Sequence, residues 1–276
     1  MSPCRSLTAG TSRIVAILLV LTAAVSAPVL AQEPAPTPAL SPGAPVRLLK
    51  NFVLDGAIQP NVWLEGQWRM ENHAPLFDGE DGTRNFLSGI LALGFNRRAE
   101  AGLSWGGINV EPESEASHSG VSDLEVYGKY LLSEAPVNLC VGGLVKIPVA
   151  DSGELLGSGS VDWEGFAALR KDFGAVQAVA NVGLRQNGDP DVPGVNGEAS
   201  VLAGGGVIFE LGKRSFGSLE LSYESRRYEG LHSDFRMTPG MVVRLGERGF
   251  FRAGLGVGLS DGAPDLEGIA GFGWGY

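Results

Sequence analysis

Gly217-Ser-Leu-Glu-Leu-Ser-Tyr-Glu-Ser-Arg-Arg227 and, after a six-residue gap, Asp234-Phe-Arg-Met-Thr-Pro-Gly-Met-Val-Val-Arg-Leu245 alternate apolar with polar or charged side chains. A period of two places successive residues on opposite faces of an extended strand. Leu219, Leu221 and Tyr223 therefore oppose Glu220, Ser222, Glu224 and Arg226, and Phe235, Met237, Met241, Val243 and Leu245 oppose Asp234, Arg236, Thr238 and Arg244. Upstream, Leu124, Val126, Tyr130 and Leu132 share a face with Gly128 against Asp123, Glu125, Tyr127 and Lys129. Twelve stretches with this rhythm are predicted as strands, near 62–70, 86–95, 98–107, 122–132, 137–147, 160–170, 175–185, 198–210, 217–227, 234–245, 250–260 and 265–276.

The content of the two faces decides the fold. A soluble sandwich or lipocalin-like barrel also alternates, but it turns its large apolar residues inward. Here the face opposite the apolar one carries charges on nearly every strand, the arrangement of a barrel with lipid outside and a polar lumen. The strand lengths of about ten residues suit a tilted transmembrane strand. The connections agree: the gaps 71–85, 108–121, 148–159 and 186–197 are long, whereas 96–97, 133–136, 171–174, 211–216 and 246–249 are short. Single-chain barrels of the bacterial outer membrane have short periplasmic turns and longer outer loops. The last two outward loops, near 228–233 and 261–264, are shorter than that pattern. The expectation is an all-β, up-and-down antiparallel barrel of about twelve strands over residues 61–276, located in the cell outer membrane.

The chain ends fit that route. Residues 1–31 hold Arg5, Arg13, an apolar run from Ile14 to Val25 and a small-residue site ending at Ala31, which reads as a secretory signal peptide cleaved after Ala31 or Ala27. The run is too short to span a bilayer as a helix. Cys4 precedes it without a lipidation motif. Removing residues 1–31 takes away two arginines and no acids, leaving 19 Lys and Arg against 31 Asp and Glu, a formal charge of −12. Such a chain offers nucleic acid no basic footprint. Cys140 alone remains, so no intramolecular disulfide forms. The Pro- and Ala-rich residues 32–45 read as a periplasmic tail, and residues 46–60 as a lead-in that either plugs the lumen or packs against its periplasmic mouth. The final aromatics Phe272, Trp274 and Tyr276 share one face and resemble the signal read by the barrel-assembly machinery, a partner this fold implies alongside outer-membrane lipid.

The predicted lumen contains Arg69, Arg98, Glu100, Asp123, Glu125, Lys129, Lys146, Asp162, Arg185, Glu220, Glu224, Arg226, Arg236, Arg244 and Arg252. Buried single charges are costly, so these must pair or meet water. They either line a narrow aqueous passage of mixed sign or fill the interior as a rigid ion-pair network. The excess acid falls in loops such as Asp78-Gly-Glu80-Asp81-Gly82, which lacks calcium-loop spacing and reads as a solvated tip. His73, His118 and His232 fall in predicted loops without the geometry of a catalytic triad or the spacing of a zinc site. No phosphate loop is present. No catalytic residue, metal or cofactor is assigned. Trp63, Trp68, Trp105, Trp163 and Trp274 read as interfacial girdles.

Two stretches resemble a known family. Gly120-Val-Ser-Asp123-Leu-Glu-Val-Tyr-Gly-Lys129-Tyr-Leu-Leu132 is similar to its Gly-x-x-Asp strand ending Lys-Tyr-x-Leu. Val145-Lys-Ile-Pro148-Val-Ala-Asp151-Ser-Gly153, with Leu156-Gly-Ser-Gly159-Ser-Val-Asp162-Trp163, is similar to its Leu-Pro-Thr-Gly-Asp loop and the strand that follows, with Val149-Ala150 where the family often has Thr-Gly. The family comprises outer-membrane barrels named for the MetA pathway of phenol degradation, and the likeness covers roughly residues 86–185. It implies passive transport of small molecules, aromatic or hydrophobic ones first. The name records a genetic association with aromatic degradation and no enzymatic activity. The competing role is a non-transporting barrel whose acidic loops bind a surface partner.

Overall fold

The computed structural model describes residues 45–50, 53–59, 61–76 and 80–276. The predicted signal peptide, the tail up to residue 44 and Asp78 lie outside them. The described strands are β1 (Val62–Pro75), β2 (Asp81–Gly94), β3 (Ala99–Pro112), β4 (His118–Val121), β5 (Leu124–Ser133), β6 (Asn138–Ile147), β7 (Asp162–Asp172), β8 (Val176–Gln186), β9 (Ala199–Glu210), β10 (Ser215–Glu224), β11 (Asp234–Leu245), β12 (Gly249–Gly258) and β13 (Leu266–Gly275). Each pairs antiparallel with its neighbour, and β1 pairs with both β2 and β13, which closes the wall and leaves no edge. β4 and β5 are two parts of one wall strand: both lie against β3, with Val121 opposite Gly107 and Glu125 opposite Ser104, and the ladder breaks at Ser122 and Asp123. The result is a closed twelve-stranded antiparallel barrel.

Every predicted strand is present. The first three run further than expected at the long-loop end, reaching Pro75, starting at Asp81 and reaching Pro112. Polar residues such as Glu71–His73 and Asp81–Asn85 hide the alternation there, yet the ladder continues past a register shift between Glu71 and Ala74. The opposite end carries tight turns fixed by local side chains. Asn96 Oδ1 accepts from the amides of Arg98 and Ala99 at 2.7 and 2.9 Å, and Asp172 Oδ1 accepts from Gly174, whose φ is +86°. The rule that short turns face the periplasm orients this end inward.

The two faces are inverted relative to a soluble protein. Leu64, Leu103, Val126, Val182, Leu219, Met241, Phe251 and Leu255 point away from the barrel and are exposed, whereas Glu65, Glu100, Lys129, Glu164, Glu220, Arg236 and Glu267 are buried inside. A bilayer covers the first set, and closure of the strand ladder from β1 to β13 lets the wall satisfy its backbone within itself. This is an outer-membrane barrel. Phe272, Trp274 and Tyr276 also face outward, at the turn end.

Trp63 corrects the girdle expectation. It shares the inward face with Glu65, donates Nε1–H to Glu65 Oε2 at 3.2 Å and tilts against Phe250 with ring centres 5.1 Å apart. Trp163 and Trp274 stand outward at opposite ends of the wall, and Trp68 and Trp105 outward near strand middles.

Val182, 55 % exposed in the protein alone, sits within β8 on the outer face. Val182→Arg is expected to lower stability in lipid vesicles by about 2–4 kcal/mol, the cost of a cation near the bilayer midplane. Denaturant unfolding in vesicles checks this, with Val182→Leu expected to stay near the parent. An unchanged Arg variant would contradict a lipid-facing position.

Candidate functional site: a lumen plugged at one end

Residues 45–50 and 53–59 run inside the turn-end half of the barrel. Val46, Leu48 and Leu49 are at most 5 % exposed. They cluster with Trp63, Ile90, Tyr127, Val179, Ile208, Val242 and Phe250, while Ile58 packs on Leu131, Cys140 and Ala168. Burying Leu48 and Leu49 contributes roughly 1.5–3 kcal/mol each. The Leu49 Cδ1 methyl lies where a Cβ on Gly240 or Gly254 would collide with it, so these two wall glycines admit the segment.

An irregular segment inside a barrel brings backbone groups that must be hydrogen-bonded, and the wall charges meet that need. Glu100 receives both Arg47 terminal nitrogens at 2.9 and 2.5 Å, the Gln59 amide at 2.5 Å and the Tyr127 hydroxyl at 2.9 Å, with Lys129 Nζ 3.6 Å away. Glu220 accepts from the Leu49 and Lys50 amides. Arg170 donates to the Val46 carbonyl at 2.7 Å and to Asp55 at 3.2 Å; Asp55 also accepts from the Leu48 and Ala57 amides. Arg252 donates to the Leu48 carbonyl and to Glu65, and Lys129 to the Val53 carbonyl. Between this plug and the wall, beside Pro45, Gln59 and Trp63, the remaining crevice measures about 20 Å³, room for about one water molecule.

Above the plug the lumen opens into a cavity of about 440 Å³, with Leu49, Lys50, Val53 and Leu54 as its floor and Leu156, Tyr228 and Leu231 among its further lining residues. Its walls carry paired charges. Glu71 lies 2.7 Å from both Arg84 and Arg236, Arg236 also contacts Glu267 and Asp234, and Arg185 bridges Glu164 at 2.5 Å and Glu224 at 2.9 Å. Burial, reinforced by the Arg236 guanidinium, lowers the Lys50 ammonium of the plug to about 8, against the pull of Glu267 at 3.5 Å.

The predicted lumen residues divide by level. Glu100, Lys129, Glu220 and Arg252 hold the plug. Arg69, Glu125, Arg185, Glu224 and Arg236 line the cavity. Asp123, Lys146 and Asp162 meet at the loop end: Lys146 Nζ lies 3.5 and 2.8 Å from the two carboxylates, and Asp123 accepts from the Val149 and Ala150 amides, which ties the 148–161 loop down. Leu156 of that loop packs on Leu76, Ile108 and Val110. Arg244 reaches over Phe216 and Phe250 near the turn end.

Two placements differ from the expectation. Arg98 precedes β3 in a turn and pairs with Glu134 on the surface, and Arg226 follows the end of β10 and pairs with Glu198 at the rim. In both cases the residue lies just past the ladder, where alternation no longer dictates a face. His73 likewise belongs to β1 and His118 to β4, not to loops; His73 sits at the β1 irregularity with φ 48°, 3.0 Å from Asp265. Arg47 and Asp55 of the plug and Arg84 of the lengthened β2 were not among the expected site residues. The clue to the plug was Arg47-Leu-Leu-Lys50 followed by Asp55, an apolar pair flanked by charges in a stretch with no strand period.

No known protein family and no curated protein sequence matches the chain. Solved structures do. An outer-membrane channel from Pseudomonas putida F1 is similar with a TM-score of 0.61 and 14 % identity over 89 % of this chain and 100 % of that one. The NanC porin aligns with a TM-score of 0.51 and 10 % identity over 78 % of this chain and 98 % of its own. The beta domain of the Bordetella autotransporter BrkA aligns with a TM-score of 0.51 and 13 % identity over 78 % of this chain and 99 % of its own. At these identities the likeness is one of fold, and it is to outer-membrane β-barrels.

Proposed function

We propose that this barrel is a passive, energy-independent channel for small molecules, closed on the periplasmic side by residues 45–59 and opened by their displacement. The observation that carries this reading is the cavity of about 440 Å³ inside a wall with lipid-facing apolar side chains. A barrel serving only as a rigid body gains nothing from such a space. The similar folds include an outer-membrane channel and a porin, which supports permeation. The resemblance of the Gly120–Leu132 and Val145–Trp163 stretches to the phenol-degradation family makes small aromatic or hydrophobic solutes the first to try. The narrow crevice beside the plug favours a second reading, a closed barrel whose acidic loops face a partner.

Flux into liposomes and planar-bilayer conductance separate the two. A phenol-sized aromatic is expected to enter faster than through vesicles holding an unrelated closed barrel, with intermittent conductance. The plug variant sharpens this. Glu100→Gln leaves Arg47 and Lys129 buried beside a neutral amide, and losing one partner of a buried ion pair costs about 3–5 kcal/mol. Because that cost falls on the docked plug, open time is expected to rise tenfold or more with the barrel still folded by circular dichroism. Absence of flux and conductance in both parent and variant would establish the closed-barrel reading.

A further inference from the structure

We infer that the cavity above the plug is a binding chamber for a small organic carboxylate. This names the solute class of the proposed channel and rests on that reading for its purpose. The balanced lining by sign alone predicts little selectivity; the pairing pattern does more. Lining the cavity are seven cations and six carboxylates, and five of the acids, Glu71, Asp123, Glu164, Glu224 and Asp234, are already within ion-pair distance of a cation. What remains unsatisfied is donors. Lys50 Nζ, Arg84 Nε and Asn181 Nδ2 are buried cavity-lining atoms without a hydrogen-bond partner among the described residues, and Asn181 is only 9 % exposed. Beside them, half-buried Arg69 has no carboxylate within ion-pair distance among the described residues and lies over the Phe86 ring, 4.2 Å from its centre.

A buried donor without a partner has its lost hydration uncompensated, so the site is poised for an acceptor. A carboxylate supplies two oxygens in the plane a guanidinium matches, with shorter and stronger bonds than a neutral acceptor makes. Ile108, Leu144 and Leu202 on the same walls accommodate the carbon skeleton. The volume falls within the usual ligand-site range of about 300–1,000 Å³. Glu125, the remaining lining carboxylate, stands three strands from Arg69, about 14 Å around the wall at the ordinary strand spacing, while Glu71, two residues from Arg69 on the same face of β1, is already shared between Arg84 and Arg236.

The test is equilibrium binding of benzoate, benzyl alcohol and benzylammonium to the purified full barrel in detergent, by calorimetry. Benzoate is expected to bind saturably, and the neutral and cationic analogues at least about tenfold more weakly. Arg69→Gln is expected to weaken benzoate about tenfold, the loss of one charge-assisted hydrogen bond. Asn181→Ala is expected to weaken it severalfold and serves if the arginine variant fails to fold. Equal binding of the three probes, no saturable benzoate binding, or unchanged affinity in folded variants would overturn the proposal. Liposome flux measured in parallel separates the readings: benzoate binding without flux keeps the chamber and removes the channel, and flux without binding does the reverse.

Discussion

The carboxylate of Glu100 gathers a guanidinium, a backbone amide and a phenol, with an ammonium close by, and the interior depends on contacts of this kind. A closed strand wall satisfies its own backbone but commits half its side chains to a lumen that is neither water nor hydrocarbon. Charges placed there are tolerated only when paired and hydrogen-bonded. An inserted segment is tolerated on the same terms, since each of its amides and carbonyls would otherwise be stranded. The two demands are complementary. Glu220, Arg170 and Arg252 find partners in the backbone at residues 46–50, and that backbone finds its partners in them.

That exchange accounts for the division of the lumen. In the turn-end half, the apolar cluster around Leu48, Leu49, Trp63 and Phe250 excludes water, so the ion pairs there are desolvated and hold strongly. In the loop-end half none of the described residues fills the space, the carboxylates pair across strands as Glu164 and Glu224 do with Arg185, and room remains for a solute. Lys50 stands at the boundary. It belongs to the plug by sequence and to the cavity by position, so anything that displaces residues 45–59 also alters the floor of the chamber.

The barrel was legible because strand alternation is a local signal repeated twelve times, and because Glu220, Arg236 and Lys129 on the face opposite Leu219, Met241 and Val126 excluded a soluble core. Its outer extensions were less legible, since β1, β2 and β3 continue into polar sequence where neither face meets lipid. The plug was not legible at all beyond the choice between plug and mouth. Residues 46–59 have no period, and their fit depends on wall positions far along the chain, from 41 residues away for Gln59 to Glu100 to 204 for Leu48 to Arg252. The same limit applied to pairing: alternation placed Asp123, Lys146 and Asp162 on the inner face, while their joint hold on the 148–161 loop arises only from the register of β5, β6 and β7.

The distribution of charge along the barrel axis adds a last constraint. The excess acid lies in outer segments such as Glu111–Glu115 and Asp189–Asp191, whereas the chamber beneath presents its unpaired groups as donors. Exposed loop charges are screened beyond roughly 8 Å at physiological salt, so the acidic rim slows an approaching anion only modestly. Inside, with lower effective dielectric and no ionic atmosphere, each guanidinium counts for far more. On the proposed reading, selection by charge is set below the rim, by Arg69, Arg84 and Lys50, and the net charge of −12 on the chain without its first 31 residues is a poor guide to what its lumen holds.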